Sequence, residues 1–178
     1  MKKVILKCKL KNRDQFEDKL SEIDLDFSAI YWQHDRIYLP RDYKTHSNFP
    51  RLIMRTEVKA VDKPAKYSLI LRRHIEDSGI DIVEESNIKD YETITNIILQ
   101  LGFRPAAEVS RRRQDLKMGE GTYIYLDKIE NHPGYYAKIE SELTTTDSVI
   151  AAKEDLKKTF ETLGESNFID KPYSDIGN

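Results

Sequence analysis

Three segments of the chain carry apolar residues at the spacing of an amphipathic helix. The first follows Asn12, the second runs from Asp90 to Gly102, and the third runs from Asp147 to Gly164. Asn and Asp are favoured at helix N-termini, and glycine is favoured just past a helix end. The apolar stripes are Phe16, Leu20 and Ile23; Ile94, Ile97, Ile98 and Leu101; and Val149, Ile150, Leu156, Phe160 and Leu163. The pattern therefore predicts three helices, each with one apolar face.

The segments between the helices alternate between apolar and polar positions, as β-strands do. Near the start, one face carries Val4, Leu6, Cys8 and Leu10, and the other carries Lys3, Ile5, Lys7 and Lys9. The polar faces of the alternating segments hold Lys3, Lys7 and Lys9; Arg51, Arg55 and Glu57; Lys66, Ser68, Arg72 and His74; Arg111, Arg113, Asp115 and Lys117; Tyr123, Tyr125 and Asp127; and Tyr136, Lys138, Glu140 and Glu142. The pattern predicts an antiparallel sheet whose polar face is rich in Arg and Lys.

Two arrangements would account for such a face. An antiparallel sheet ordinarily turns its polar face to water. Repeated Arg and Lys side chains on neighbouring strands repel one another, however, and an anion bound between them would remove that repulsion. We therefore expect an α+β fold in which a closed antiparallel β-barrel has a charged lumen and three helices cover its outside. The expected ligand is a polyanion.

Composition narrows the classes of function. The chain has 178 residues, so we expect a single domain spanning residues 1–178. Charged residues make up 34% and apolar residues 39%, yet the net charge is only −2, which argues against a general nucleic-acid or acidic-membrane binder. The single cysteine, Cys8, forms no internal disulfide, and the N-terminus has no apolar export segment. We expect a cytoplasmic protein without a membrane-spanning segment.

Six motifs follow one another along nearly the whole chain: VILKCKLKNRDQFEDKL, QHDRIYL, PRDYKTHSNFPRLIMR, LGFRPAAEVSRRR, LDKIENHPGYYAKIESE and KPYSDI. Their order and spacing resemble those of the CYTH family, the triphosphate tunnel proteins. This family includes class IV adenylate cyclases, thiamine triphosphatases and inorganic triphosphatases. The insertion PRDYKTHSNFP and the tail KPYSDI resemble the cyclase branch most.

The resemblance implies a set of triphosphate-binding residues. It matches Lys7 to the lysine of an E-x-E-x-K motif, Arg55 to the second arginine of L-R-I-R, and Arg72 to a tunnel lysine. Arg111 and Arg113 match K-x-R. Guanidinium groups suit phosphate because their N–H donors bind oxygen atoms in pairs. Lys9 shares the face of Lys7 and is a sixth candidate, and the resemblance gives Lys7, Arg55 and Arg113 the catalytic role of stabilising charge on the phosphates.

The resemblance also implies a divalent cation, Mg²⁺ or Mn²⁺, held by carboxylates. Glu85 falls near a glutamate of a middle strand, Asp127 on the aspartate of L-D, and Glu140 on the last glutamate of E-I-E. Glu142 lies two residues further on the same face and is a substitute ligand. Hard oxygen ligands suit such a cation, which would bridge phosphate oxygens.

The chain departs from the family pattern at the expected metal site. Lys3 and Ile5 stand where E-x-E-x-K has glutamates, and Lys138 stands at the first glutamate of E-I-E. Ile53 replaces the first arginine of L-R-I-R. Lysines near the site repel a cation, so we expect weakened metal binding while phosphate binding persists.

Three functions stay open at this point. The cyclase-like hypothesis is that the protein converts ATP to cyclic AMP and pyrophosphate with a divalent cation. The alternatives are a hydrolase of inorganic or thiamine triphosphate, and a binding module for polyphosphate or a nucleotide that has no turnover. The resemblance allows a homodimer, and we expect no nucleic-acid partner. The segment from Pro40 to Pro50 is either a lid over the tunnel mouth or a plain surface loop.

Overall fold

A closed antiparallel β-barrel of eight strands forms the centre of the protein. The computed structural model describes residues 2–41, 50–60, 62–75, 80–143, 148–169 and 171–176, so most of the 40–50 loop lies outside the described residues. The strands are β1 (Lys2–Lys9), β2 (Tyr31–Pro40), β3 (Arg51–Val58), β4 (Lys66–Ile75), β5 (Ile80–Ile88), β6 (Phe103–Gly119), β7 (Thr122–Ile129) and β8 (Tyr136–Glu142). Their order around the barrel is β1-β5-β4-β3-β2-β6-β7-β8, and β8 pairs with β1. The predicted closed barrel is confirmed.

Helices α1 (Arg13–Ser21), α2 (Tyr91–Gln100) and α3 (Val149–Thr162) correspond to the three predicted helices. The Asn12 side chain accepts hydrogen bonds from the backbone N–H groups of residues 14 and 15, and the Asp90 side chain accepts one from Thr93. Ser148 caps α3, while Asp147 lies outside the described residues. None of the helices in the described ranges has the length and apolar character needed to cross a membrane.

The apolar faces of the strands point outward and pack under the helices. One cluster joins Phe16 and Leu20 of α1 and Phe160 of α3 to the outer faces of β1, β6, β7 and β8. A second cluster joins Ile98 of α2 to Tyr38 and to strand residues beside it. The helices therefore cover the barrel, and the opposite face of each strand is left for the lumen.

Four residues of the predicted apolar stripes are exposed to solvent, so the predicted apolar face of each helix is wrong at these positions. Their exposed fractions are 56% for Ile23, 46% for Ile97, 70% for Leu101 and 78% for Ile150. Ile23 and Leu101 follow the last helical residues, and Ile150 lies in the first turn of α3. At Ile23, Leu101 and Ile150 the apolar periodicity continues past the part of the helix that packs on the barrel, whereas Ile97 lies within α2 and has no such explanation.

One section of the barrel interior is apolar. Its cluster contains Ile37, Ile53, Ile70, Val109 and Ile129, together with Tyr136 and the C-terminal residues Ile169, Tyr173 and Ile176. Tyr173 begins a short 3₁₀-helix (Tyr173–Asp175), and its ring packs against Tyr136 with the centroids 5.8 Å apart. The charged side chains of the interior are consequently concentrated in the rest of the lumen.

Candidate functional site

Strand register brings cations of the lumen opposite carboxylates on the neighbouring strand. Arg55 of β3 pairs with Asp35 of β2, and Arg113 of β6 pairs with Asp127 of β7. Because directly opposed residues point to the same face of the barrel, each of these pairs lies inside it. The lumen is therefore built from ion pairs between strands.

Asp35 lies between two arginines. Arg55 donates from Nε to Asp35 Oδ1 at 2.7 Å and from Nη2 to Oδ2 at 3.0 Å. Arg111 donates to the same Oδ2 and, through Nε, to Gln33 Oε1 at 2.9 Å. Burial opposes ionisation of Asp35, but attraction by Arg111 and Arg55 outweighs it, so the pKa of Asp35 lies far below its usual range. The carboxylate stays ionised and fixes both guanidinium groups.

Arg113 and Asp127 form a fully buried bidentate pair. Arg113 Nε donates to Asp127 Oδ1 at 2.6 Å, and Nη2 donates to Oδ2 at 2.7 Å. The guanidinium group also stacks on the Tyr125 ring, 4.4 Å from its centroid. Burial disfavours both charges, but mutual attraction and these hydrogen bonds lower the pKa of Asp127 and raise that of Arg113. Arg113 is thus held in one orientation inside the barrel.

Two lysines share the carboxylate of Glu140. Lys138 donates to Glu140 Oε1, and Lys3 donates to Oε2 at 3.3 Å. Burial lowers the pKa of Lys138 to about 7 despite the attraction of Glu140. Burial has the opposite effect on Glu140, but attraction by Lys138 and Lys3 outweighs it and lowers the pKa of that carboxyl group.

A further charged group joins β4 and β5. Asp81 accepts hydrogen bonds from Arg72, with Nε at 3.1 Å, and from His74 Nδ1 at 3.0 Å. On β1, the strand that pairs with β5, the Lys7 ammonium group donates to the carbonyl of Lys171 and lies 5.7 Å from the centroid of the Tyr173 ring. The C-terminal segment therefore contacts a predicted phosphate-binding lysine.

Positive charge exceeds negative charge in the buried and half-buried centre of the lumen. Below pH 7, nine cationic side chains of the strands face six carboxylates there: Lys3, Lys7, Lys9, Arg51, Arg55, Arg72, Arg111, Arg113 and Lys138 against Asp35, Glu57, Asp81, Asp115, Asp127 and Glu140. The count covers the part of the chain that the structure describes. A low-dielectric enclosure intensifies the field of such a surplus, so the arrangement can attract and hold an anion.

Most of the predicted phosphate-binding residues come together in the lumen. Arg55, Arg111 and Arg113 form one connected network through Asp35 and Asp127, because Arg111 also lies 3.9 Å from Asp127. The other predicted residues, Lys7, Arg72 and Lys9, face the lumen from β1 and β4. Lys9 lies beside the apolar section, 6.0 Å from the centroid of the Tyr136 ring.

Three residues that organise the site are absent from the set predicted from the sequence. Asp35 and Asp81 neutralise its arginines, and Tyr173 packs beside Lys7 and Arg111. Alternation within the QHDRIYL motif places Gln33, Asp35 and Ile37 on one face, which was a usable signal for Asp35. Nothing in the local pattern around Tyr173 indicates that it enters the barrel.

The predicted metal ligands do not fit a divalent cation in this structure. Asp127 gives both oxygens to Arg113, and Glu140 gives one oxygen to each of two lysines. Glu85 and Glu142 are exposed. Within the described ranges, no three Asp, Glu, His or Cys side chains form a group that could hold a metal ion. The lumen carboxylates thus serve the chain's own cations.

Comparison with known proteins gives a likeness of fold. No family model matches the chain, and no curated protein matches it. Protein PH1819 from Pyrococcus horikoshii OT3 is 22% identical, with a TM-score of 0.82, and the match covers 96% of this chain and 95% of that one. A proposed adenylate cyclase from Vibrio parahaemolyticus is 17% identical, with a TM-score of 0.80 and coverage of 96% and 94%.

A third similar structure has a stated activity. It is a proposed adenylyl cyclase from Hippeastrum whose dominant activity is that of a triphosphatase. That protein is 16% identical, with a TM-score of 0.61 and coverage of 97% of this chain and 93% of that one. These matches confirm, at the level of fold, the resemblance to triphosphate tunnel proteins that the motifs indicate. The roles of Lys7, Arg55 and Arg113 stay predictions.

Proposed function

We propose that the protein binds a triphosphate or a longer linear polyphosphate in the charged section of its lumen. The observation that carries this proposal is the surplus of cationic side chains in the enclosed centre of the barrel. An excess of positive charge inside a protein is costly, and a polyanion is the ligand that removes this cost. The likeness in fold to two proposed cyclases, one of which has a dominant triphosphatase activity, supports the same ligand class.

The ion pairs within the lumen prepare it for such a ligand. Asp35 and Asp127 hold Arg55, Arg111 and Arg113 in fixed orientations before any ligand arrives. A fixed guanidinium group loses little conformational entropy when it binds a phosphate oxygen, and preorganisation of this kind strengthens binding. Arg72 of β4 and Lys138 of β8 then add further positive charge. The chain's own residues thus bind the phosphates, orient them and stabilise negative charge on their oxygens.

Turnover is the second candidate function, and the activity of the Hippeastrum protein favours it. Attack of a ribose hydroxyl on the α-phosphorus of ATP would release pyrophosphate and form cyclic AMP. Attack of water on the terminal phosphorus would release orthophosphate instead. In both reactions, Lys7, Arg55 and Arg113 would stabilise charge that develops on the phosphate oxygens.

Phosphorus NMR of the protein with ATP and with tripolyphosphate tests the proposal. We expect broadened ligand resonances, and new resonances of pyrophosphate or orthophosphate would add turnover to binding. Arg113→Ala should weaken binding by at least about tenfold, because it removes charge-assisted hydrogen bonds worth about 1.5–3 kcal/mol each.

Arg112→Ala is the matched control, because Arg112 is adjacent in sequence, exposed, and on the outer face of β6. It should leave the affinity unchanged. If Arg113→Ala does not fold, Arg72→Gln takes its place, because its side chain is 33% exposed and tolerates replacement better. Unchanged affinity in a folded lumen variant would remove the proposed site.

A further inference from the structure

Two lysines stand at the carboxylate of Glu140, one on each oxygen. Lys138 lies on the same strand as Glu140, and Lys3 reaches it from β1, where residue 5 is directly opposite Glu140. The side chains of Lys3, Lys138 and Glu140 are 18%, 9% and 11% exposed, so little water separates the three charges. The group has a net charge of +1 when both lysines are protonated.

Two other carboxylates of the lumen are also committed to cations. Both oxygens of Asp127 accept hydrogen bonds from Arg113, and Asp81 accepts from Arg72 and His74. A divalent cation would have to break these pairs, leave the displaced cations buried, and remain beside them. Each of these three consequences opposes metal binding. Phosphate meets none of this opposition, because all of the cations in these pairs attract it.

We infer that the lumen binds linear polyphosphate in its metal-free form, with the ammonium groups of Lys3 and Lys138 supplying the positive charge that a divalent cation would otherwise bring. This inference rests on the proposed function. Mg²⁺ then acts as a competitor, because it neutralises the free polyphosphate and reduces its attraction to the lumen. The ligand class is a highly charged phosphate chain that carries no bound metal.

Calorimetric titration with tripolyphosphate at pH 6.0, in EDTA and then in excess Mg²⁺, tests the inference. We expect binding in EDTA, and an affinity that falls by threefold or more when Mg²⁺ is added. Binding that appears only with Mg²⁺, or that Mg²⁺ strengthens, overturns the inference but leaves the proposed function standing. The absence of binding in both buffers overturns the proposed function, and the inference with it.

Lys138→Met should weaken tripolyphosphate binding in EDTA by about tenfold, since it removes one ammonium group at nearly constant side-chain length. Lys153→Met is the matched control, because Lys153 is an exposed residue of α3, and it should change nothing. If Lys138→Met does not fold, Lys3→Met tests the second ammonium group. Unchanged affinity in either folded lumen variant contradicts the inference.

Glu140→Gln distinguishes the two roles that Glu140 can have, which are pairing with lysines and coordination of a metal ion. If Glu140 only pairs with lysines, its loss frees positive charge, and tripolyphosphate binding in EDTA becomes equal or stronger. Mn²⁺ binding to the protein alone can be measured by the loss of the free-ion signal in electron paramagnetic resonance. This binding should be weak and identical in wild type and variant. A stoichiometric Mn²⁺ site that Glu140→Gln removes would overturn the inference.

Discussion

Replacement of Asp127 by asparagine probes the ion pairs on which the lumen depends. The substitution keeps the size of the side chain and removes the charge that neutralises Arg113. Both partners are buried, since the Asp127 side chain is 0% exposed and that of Arg113 is 3% exposed. Removal of one partner of a buried pair costs about 3–5 kcal/mol, because the remaining charge is left without compensation. In a protein of this size each kcal/mol shifts Tm by about 2–4 °C, so Tm should fall by about 6–20 °C.

Urea unfolding and differential scanning calorimetry measure this loss. The control is Asp155→Asn on α3, where the carboxylate is 75% exposed and lies 4.0 Å from Lys158, so its loss should cost less than about 0.5 kcal/mol. A loss below about 1 kcal/mol for Asp127→Asn would refute the reasoning, because the lumen would then tolerate an unpaired guanidinium group.

The same variant connects stability to the ligand. An unpaired Arg113 should gain more from an added anion than a paired one does. Tripolyphosphate should therefore raise the Tm of Asp127→Asn by more degrees than it raises that of the wild type. Equal shifts, with the wild type shown to bind the ligand, would mean that the phosphate chain does not approach Arg113.

Three further results are expected. The free energy of unfolding should fall as pH decreases from about 5 to 3, because Asp35 and Asp81 have folded-state pKa values below their unfolded ones and take up protons on unfolding. Asp81→Asn should flatten this pH profile, and a pH-independent wild type would contradict the ion-pair assignment. Burial, with Glu165 nearby, raises the pKa of Cys8 to about 11. A thiol reagent at pH 8 should therefore modify the folded protein far more slowly than the urea-unfolded one, and equal rates would contradict the burial of Cys8. Tyr173→Ala should lower the free energy of unfolding by about 3 kcal/mol, because it leaves a cavity in the apolar section, whereas Tyr173→Phe should lower it by less than about 1 kcal/mol. Equal unfolding midpoints in urea for the two variants would show that the ring does not fill the barrel.

The strands and the face that each turns to the lumen could be predicted from the sequence, because side chains alternate along a strand with a period of two residues. Lys7, Arg55 and Arg113 occupy the polar face of their strands, and that face is the lumen. The helices were equally accessible, since Phe16, Leu20 and Phe160 keep helical spacing and all lie in the core. Both patterns are local, and the fold agrees with them.

The division of the lumen could not be predicted in this way. Ile53 and Ile70 share the faces that carry Arg55 and Arg72, yet they belong to an apolar cluster that Tyr173 completes from the far end of the chain. Which carboxylate meets which cation depends on register between strands, as with Asp35 and Arg55. Register and the path of the C-terminus are tertiary properties, and the pattern of a single strand does not contain them.

We propose that the charged section of the lumen is a polyphosphate site. A crystal structure of the protein grown with tripolyphosphate in EDTA tests it most directly. We expect a phosphate chain inside the barrel, with oxygen atoms within hydrogen-bond distance of Arg55, Arg113 and Lys138. Tripolyphosphate bound only on the outer surface, with the lumen ion pairs intact and no ligand among them, would contradict it.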